Sequence, residues 1–151
     1  MIRVVHAHVA VVPLVLATLL TPSGVRPNPV FTPGLTRSLT ADAICSIAWG
    51  RDRRHVTETM KRQVSARYGV DWADRAAYEF DHLIPRELAG ADDVRNLWPQ
   101  PRSGEWNAHR KDVLENRLHG LVCLGDLTLD AAQEAIRTDW IAAYRHYVAD
   151  P

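Results

Sequence analysis

The sequence carries no net formal charge, since Lys plus Arg and Asp plus Glu each number 18. Global electrostatic attraction to nucleic acid or to an anionic membrane is therefore excluded, and any such binding must rest on a local site. Cysteine is scarce, with two in the chain, Cys45 and Cys123, and no C-x-x-C pair. That spacing argues against a zinc site of the C-x-x-C kind. Aromatic residues make up 7%, so few large side chains are available to fill a core. Beyond residue 23 no long apolar run exists, which leaves no candidate membrane span there. No internal repeat is visible. What is present, 46% hydrophobic and 24% charged residues in a chain of 151, is the balance of one globular domain of ordinary size.

The N-terminus stands apart. Arg3 precedes the uncharged run from Val9 to Leu20, the length of a signal-peptide apolar region and shorter than the ~20 residues of a membrane span. Thr21 and Ser23 are small enough to flank a cleavage site, although Pro22 and the lack of an A-x-A pattern leave its position open. A buried core helix or an uncleaved anchor is the alternative. Residues 1–23 are thus read as signal-like, which implies a secreted, periplasmic or cell-envelope protein with no stable membrane partner after cleavage. Export makes a Cys45–Cys123 disulfide the expectation, against the alternative of two buried thiols.

Residues 24–43, with Gly24, Pro27, Pro29, Pro33 and Gly34, read as an extended N-terminal stretch, mobile at its start. The folded domain is expected over 44–151. Val56, Met60 and Val64 recur at helical spacing, and Gly69 is placed to end that helix. Tyr78-Glu79-Phe80 reads as a strand and Asn96-Leu97-Trp98 as a second, ended by Pro99. A helix from about Glu105 to His119 follows, with Trp106, Val113, Leu114 and Leu118 inside and Gly120 or Gly125 at its end. Thr128 caps a last helix with an apolar stripe of Ile136, Trp140, Ile141, Tyr144 and Val148. Trp98, Trp106 and Trp140 are assigned to the core. The order predicts a small, mostly helical α+β domain.

The chemistry-bearing stretch runs Phe80-Asp81-His82-Leu83-Ile84-Pro85-Arg86-Glu87-Leu88-Ala89-Gly90, then Asn96-Leu97-Trp98-Pro99, then Trp106-Asn107-Ala108-His109-Arg110-Lys111-Asp112. Adjacent Asp and His at a strand end can divide the labour of phosphodiester hydrolysis. The carboxylate holds a hard cation, while the neutral imidazole takes a proton from water. A strand bearing Asp-His, a Pro- and Gly-containing loop, Asn-Leu and a polar helix start together resemble the ββα-metal motif of HNH endonucleases. The wider pattern, from Ile44-Cys45 through Lys61 and Tyr68-Gly69 to Val122-Cys123 and Asp139-Trp140, is similar to a group of small exported bacterial HNH-nuclease-like proteins. It covers most of the chain after the signal-like segment.

The resemblance implies a fold built around a ββα-metal motif, with Asp81 as a metal ligand, His82 as general base and Asn96 as support for base and loop. Asn107 and His109 both lie near the helix start; the resemblance favours Asn107 as the further metal ligand, with His109 as the alternative. The implied cofactor is one divalent ion, Mg²⁺ or Mn²⁺, with Zn²⁺ or Ni²⁺ open if a histidine ligates. The implied activity is endonucleolytic cleavage of DNA with little sequence preference. The rival readings are a non-catalytic exported binding module on the same scaffold and a hydrolase of RNA or another phosphodiester.

Two positions depart from the group. Arg86 replaces an apolar residue and is read as a phosphate contact or a solvated side chain. Ala89-Gly90 replaces Gly-Gly, which matters if position 89 needs positive φ. Taken singly, His55, His109 and His119 read as surface residues, and Lys111 and Glu115 as a pair across a helix face. Arg51, Arg53, Arg54, Lys61, Arg62 and Arg67, interrupted by Asp52 and Glu58, form either a phosphate track or a solvated face.

Overall fold

The computed structural model describes residues 24–46, 51 and 53–148. The signal-like segment 1–23 and Asp52 lie outside the described residues. The rest forms a small α+β domain, about half helical, with one two-stranded antiparallel sheet. The helices are α1 (Ala41–Ser46), α2 (Glu58–Tyr68), α3 (Ala108–Leu124) and α4 (Leu129–Tyr147); the strands are β1 (Tyr78–His82) and β2 (Leu97–Pro101). Short 3₁₀ turns, Trp72–Ala77 and Arg86–Leu88, precede and follow β1.

Helix ends follow local chemistry. Thr57 and Thr128 cap α2 and α4 through hydrogen bonds from Met60 N and Ala131 N, satisfying amides that have no partner inside the helix. Gly69 and Gly125 end α2 and α3 at φ of 67° and 81°, in the left-handed region that L side chains disfavour. Gly120 lies inside α3. Val56 precedes α2, because the Thr57 cap sets its start.

The antiparallel register pairs Tyr78 with Pro101, Phe80 with Pro99, Asp81 with Trp98 and His82 with Leu97. The second strand therefore runs past Pro99 rather than ending there. In a two-stranded sheet each strand keeps an unpaired edge, where a missing N–H costs little. The core gathers Val64, Leu83, Ile84, Leu88, Leu97, Trp98, Leu114, Leu118, Ile136, Trp140 and Ile141 between sheet and helices. Trp106 is half-buried, edge-on to Trp140 and Tyr144 at 5.8 and 5.7 Å. Val113 faces outward, and its expected inner place belongs to Lys111.

The stretch from Gly24 is extended but docked. Arg26 makes paired 2.9 Å hydrogen bonds to Asp139, and Trp140 Nε1 donates to Val25 O at 2.8 Å. Thr32 Oγ1 donates to Leu97 O, and Gly34 N donates to Arg95 O. Asp139 itself leaves helical geometry (φ −159°, ψ 96°) and caps Ile141 N and Ala142 N, so α4 is two helical pieces joined at a kink. Cys45 in α1 and Cys123 in α3 form a disulfide closing a separation of 78 residues. Such a closure stabilises by about 2–4 kcal/mol.

Candidate active site

Successive side chains on a strand point to opposite faces, and the two residues that end β1 find different partners accordingly. Asp81 meets α3. Its Oδ2 accepts from Lys111 Nζ at 2.8 Å. Lys111 also donates to His82 O and to Glu115 Oε1, and its side chain is fully buried. Burial disfavours the ammonium, but Asp81 and Glu115 outweigh it and hold Lys111 charged, its pKa raised. Burial also opposes ionisation of Asp81, and the ammonium beside it wins, holding that carboxyl below its ordinary range. Glu115 goes the other way: burial, with Asp81 and Glu87 near, pushes its carboxyl well up despite Lys111. Two carboxyl groups, Asp81 held ionised and Glu115 pushed toward protonation, thus share one ammonium in a water-poor place. The expected surface pair of Lys111 and Glu115 is instead a buried triad with Asp81, because Lys111 takes an inward position in register with Leu114, Leu118 and Val122.

His82 meets the loop before β2. Its Nε2 lies 2.7 Å from Asp92 Oδ1, which assigns the ring proton to Nε2 and the lone pair to Nδ1. Asp92 is fixed in turn by His55 N, which donates to its other oxygen at 2.6 Å. Burial lowers the His82 pKa more than Asp81 and Asp92 raise it, so the imidazole is neutral at pH 7. Arg86 Nε lies 3.6 Å from the same Asp92 oxygen, and its guanidinium donates to Arg53 O. It is part of this frame rather than a solvated side chain.

Asn96 is fully buried and serves the loop. Its Oδ1 accepts from Ile84 N at 3.0 Å, and its Nδ2 donates to Ile84 O and Ala91 O at 2.9 and 3.1 Å. Its side chain makes no hydrogen bond to His82; Asp92 holds the ring instead. Asn107 is the N-cap of α3, accepting from Arg110 N and donating to Gly104 O, and this cap engages both ends of its amide. His109 sits exposed on the first turn.

Asp112, one turn beyond His109, has its carboxyl raised by burial and by the charges of Asp81 and Glu79. Asp81, Asp112 and His109 offer the donor types that a divalent ion takes, with Asp81 Oδ2 already engaged by Lys111. Among the described residues, the group of three His, Cys, Asp or Glu ligand atoms lying within 4.8 Å of one another is instead Cys45, His119 and Cys123.

Sequence reasoning did not single out Asp92, Asp112 or the burial of Lys111. Only the last left a signal, its spacing of three from Leu114. Asp92 belongs to an Ala-Asp-Asp loop segment that reads as solvated until the fold brings it to the imidazole. No family model matches the chain, and neither curated proteins nor solved structures yield a match.

Proposed function

We propose that the protein is a metal-dependent endonuclease of the HNH (ββα-metal) type that hydrolyses DNA phosphodiesters with little sequence preference. The observation that carries this reading is a buried neutral His82, held by Asp92 through one ring nitrogen, next to the carboxylate of Asp81. The antiparallel β1–β2 pair followed by α3 supports a ββα arrangement. His82 Nδ1 takes the proton of a water whose oxygen attacks phosphorus, and Asp92 stabilises the imidazolium that forms. Asp81, with Asp112 or His109, would hold a divalent ion, Mg²⁺ or Mn²⁺, which when bound would neutralise charge on the phosphate and the departing 3′ oxygen.

A cleft of about 340 Å³ beside β1 supports a nucleic-acid substrate. Arg54, Lys61, Arg75 and Arg102 line it together with Glu58, Glu79, Trp72 and Tyr78, and Glu79 pairs with Arg102. Cations along a groove with aromatic rings match a phosphate backbone and its bases. Arg54 also acts on the charge of His82, linking cleft and base. Of the other basic residues, Arg67 donates to Phe31 O and Val94 O, and Arg62 pairs with Glu58 and lies 4.3 Å over the Trp72 ring. Arg67 is structural, and Arg62 forms an exposed pair one turn along α2. The small chain offers few elements to read base edges, hence the low sequence preference. Export is proposed on the N-terminal segment, and the disulfide is compatible with it.

Cleavage of plasmid DNA by the purified disulfide-bonded protein with Mg²⁺ or Mn²⁺ tests this reading. Asp81→Ala is expected to lose the metal-dependent rate, and unchanged cleavage in that variant removes the assignment. A panel including RNA at fixed metal and salt distinguishes another phosphodiester substrate. The capture of Asp81 by Lys111 favours a second reading, a non-catalytic binding module, which requires no cleavage with any metal and nucleic-acid binding indifferent to His82→Ala.

Because burial lowers the His82 pKa, the acid limb of kcat/KM should lie below the ordinary imidazole value near ~6.5. Asp92→Asn removes an interaction that raises the His82 pKa, so it should move this acid limb lower and cut the rate at least about tenfold. Stability follows the same sign. A histidine neutral in the fold but charged when unfolded costs stability as pH falls below its unfolded pKa, and an acid-limb pH titration of folding should show the loss.

A further inference from the structure

Away from Asp81 and His82, the C-terminal turn of α3 carries His119 and Cys123 four residues apart on one helix face, facing Cys45 of α1. Cys123 Sγ lies 3.5 Å from His119 Nε2, and the three potential ligand atoms lie within 4.8 Å of one another. In a tetrahedral zinc site with Zn–S of about 2.3 Å and Zn–N of about 2.0–2.1 Å, a sulfur and a nitrogen stand ~3.5 Å apart and two sulfurs ~3.8 Å apart. The first separation is already present. The second needs the bonded sulfurs to swing apart, which side-chain rotation permits across the 5.6 Å between the Cα atoms. Both cysteines are exposed and His119 is half-buried, so a reductant and an ion can reach them.

We propose that reduction of the Cys45–Cys123 disulfide creates a zinc site with Cys45, Cys123 and His119 as ligands and water in the fourth position. A dithiol supplies the electrons. One of its thiolates attacks a disulfide sulfur, the S–S bond breaks through a mixed disulfide, and its second thiol releases the protein as two cysteine thiols. Two electrons pass to the protein, and the dithiol leaves as its own disulfide. Binding of Zn²⁺ then expels the two thiol protons to solvent. Two thiolates and an imidazole select a borderline-soft divalent ion over Mg²⁺ or Ca²⁺. The oxidised protein has no such site, since its sulfurs are bonded to each other. The site shares no ligand with the proposed nuclease centre.

Co²⁺ is the spectroscopic probe and Zn²⁺ its competitor. The full chain is reduced with a dithiol, freed of it anaerobically and titrated with Co²⁺, while circular dichroism follows its helices. One equivalent of Co²⁺ should give a thiolate-to-cobalt charge-transfer band that Zn²⁺ displaces. The oxidised chain should give none. His119→Ala, which leaves the disulfide intact, should weaken binding by the reduced form at least tenfold, and Cys123→Ser should remove the band. If reduction unfolds the chain, refolding by metal that depends on His119 gives the same support. No band from reduced protein, folded or unfolded, overturns the proposal. So does equal affinity in His119→Ala or in concentrated urea.

Discussion

Replacing Gly90 by alanine is expected to cost more than about 4 kcal/mol and to leave little folded protein. A Cβ at this position would stand 1.8 Å from Ile84 O, 2.7 Å from Ile84 C and 2.8 Å from Pro85 O. All three are backbone atoms, so no rotamer change relieves the clash. The backbone cannot retreat either. Ile84 O accepts from Asn96 Nδ2, Pro85 O accepts from Gly90 N, and Gly90 bridges to Thr36 on the docked N-terminal stretch. Urea unfolding of the soluble fraction measures the loss, and a cost below about 1 kcal/mol contradicts the packing described.

The preceding residue makes a useful contrast. Ala89 adopts φ 62°, so the position that the Gly-Gly comparison marked does need the left-handed region, and the chain meets that need with alanine. Ala89→Gly relieves about 1–2 kcal/mol of strain. It also adds unfolded-state freedom and removes a fully buried methyl group, so the net change should stay within about 1 kcal/mol.

The second large effect is expected at Lys111. Lys111→Met keeps much of the buried length but leaves Asp81 and Glu115 facing each other without a cation. Removing one member of a buried ionic group costs about 3–5 kcal/mol, because the remaining charge is left uncompensated. The sign with pH is fixed by which state binds protons. With the ammonium gone, both carboxyls should have raised folded pKa values, so the deficit is greatest at neutral pH and shrinks as acid protonates them. Denaturant midpoints of the two proteins at pH 5 and pH 8 read this directly. A deficit independent of pH would mean that Lys111 contributes packing alone.

Much of this architecture was legible in sequence because it rests on local rules. Gly69, Gly125 and Thr128 bound their helices through backbone geometry and capping, which involve neighbours only. Alternation at Tyr78 and Phe80 marked β1, and the two cysteines of an export-like chain predicted their bond. What was hidden depends on contacts across the fold. Asp92, ten residues after His82, comes to it only when the loop closes on Asn96. Lys111 is buried because two carboxylates from β1 and α3 converge on it, an exception to the usual exposure of lysine. Asn107 matched a ligand position by resemblance, yet its local chemistry is that of an N-cap, which competes for the same side-chain oxygen. The start of the extended stretch 24–43 reads as mobile from its prolines, whereas Arg26 and Thr32 anchor it to α4 and β2.

The central claim is that His82 is the base of a metal-dependent nuclease. The most direct measurement incubates supercoiled plasmid with the wild-type protein and Mg²⁺ or Mn²⁺, beside an EDTA control and a folded His82→Ala variant. Metal-dependent nicking, absent with EDTA and reduced at least about a hundredfold in the variant, is the expected result for a general base. No cleavage by the folded, oxidised wild type with any divalent ion, or cleavage undiminished in His82→Ala, would contradict it.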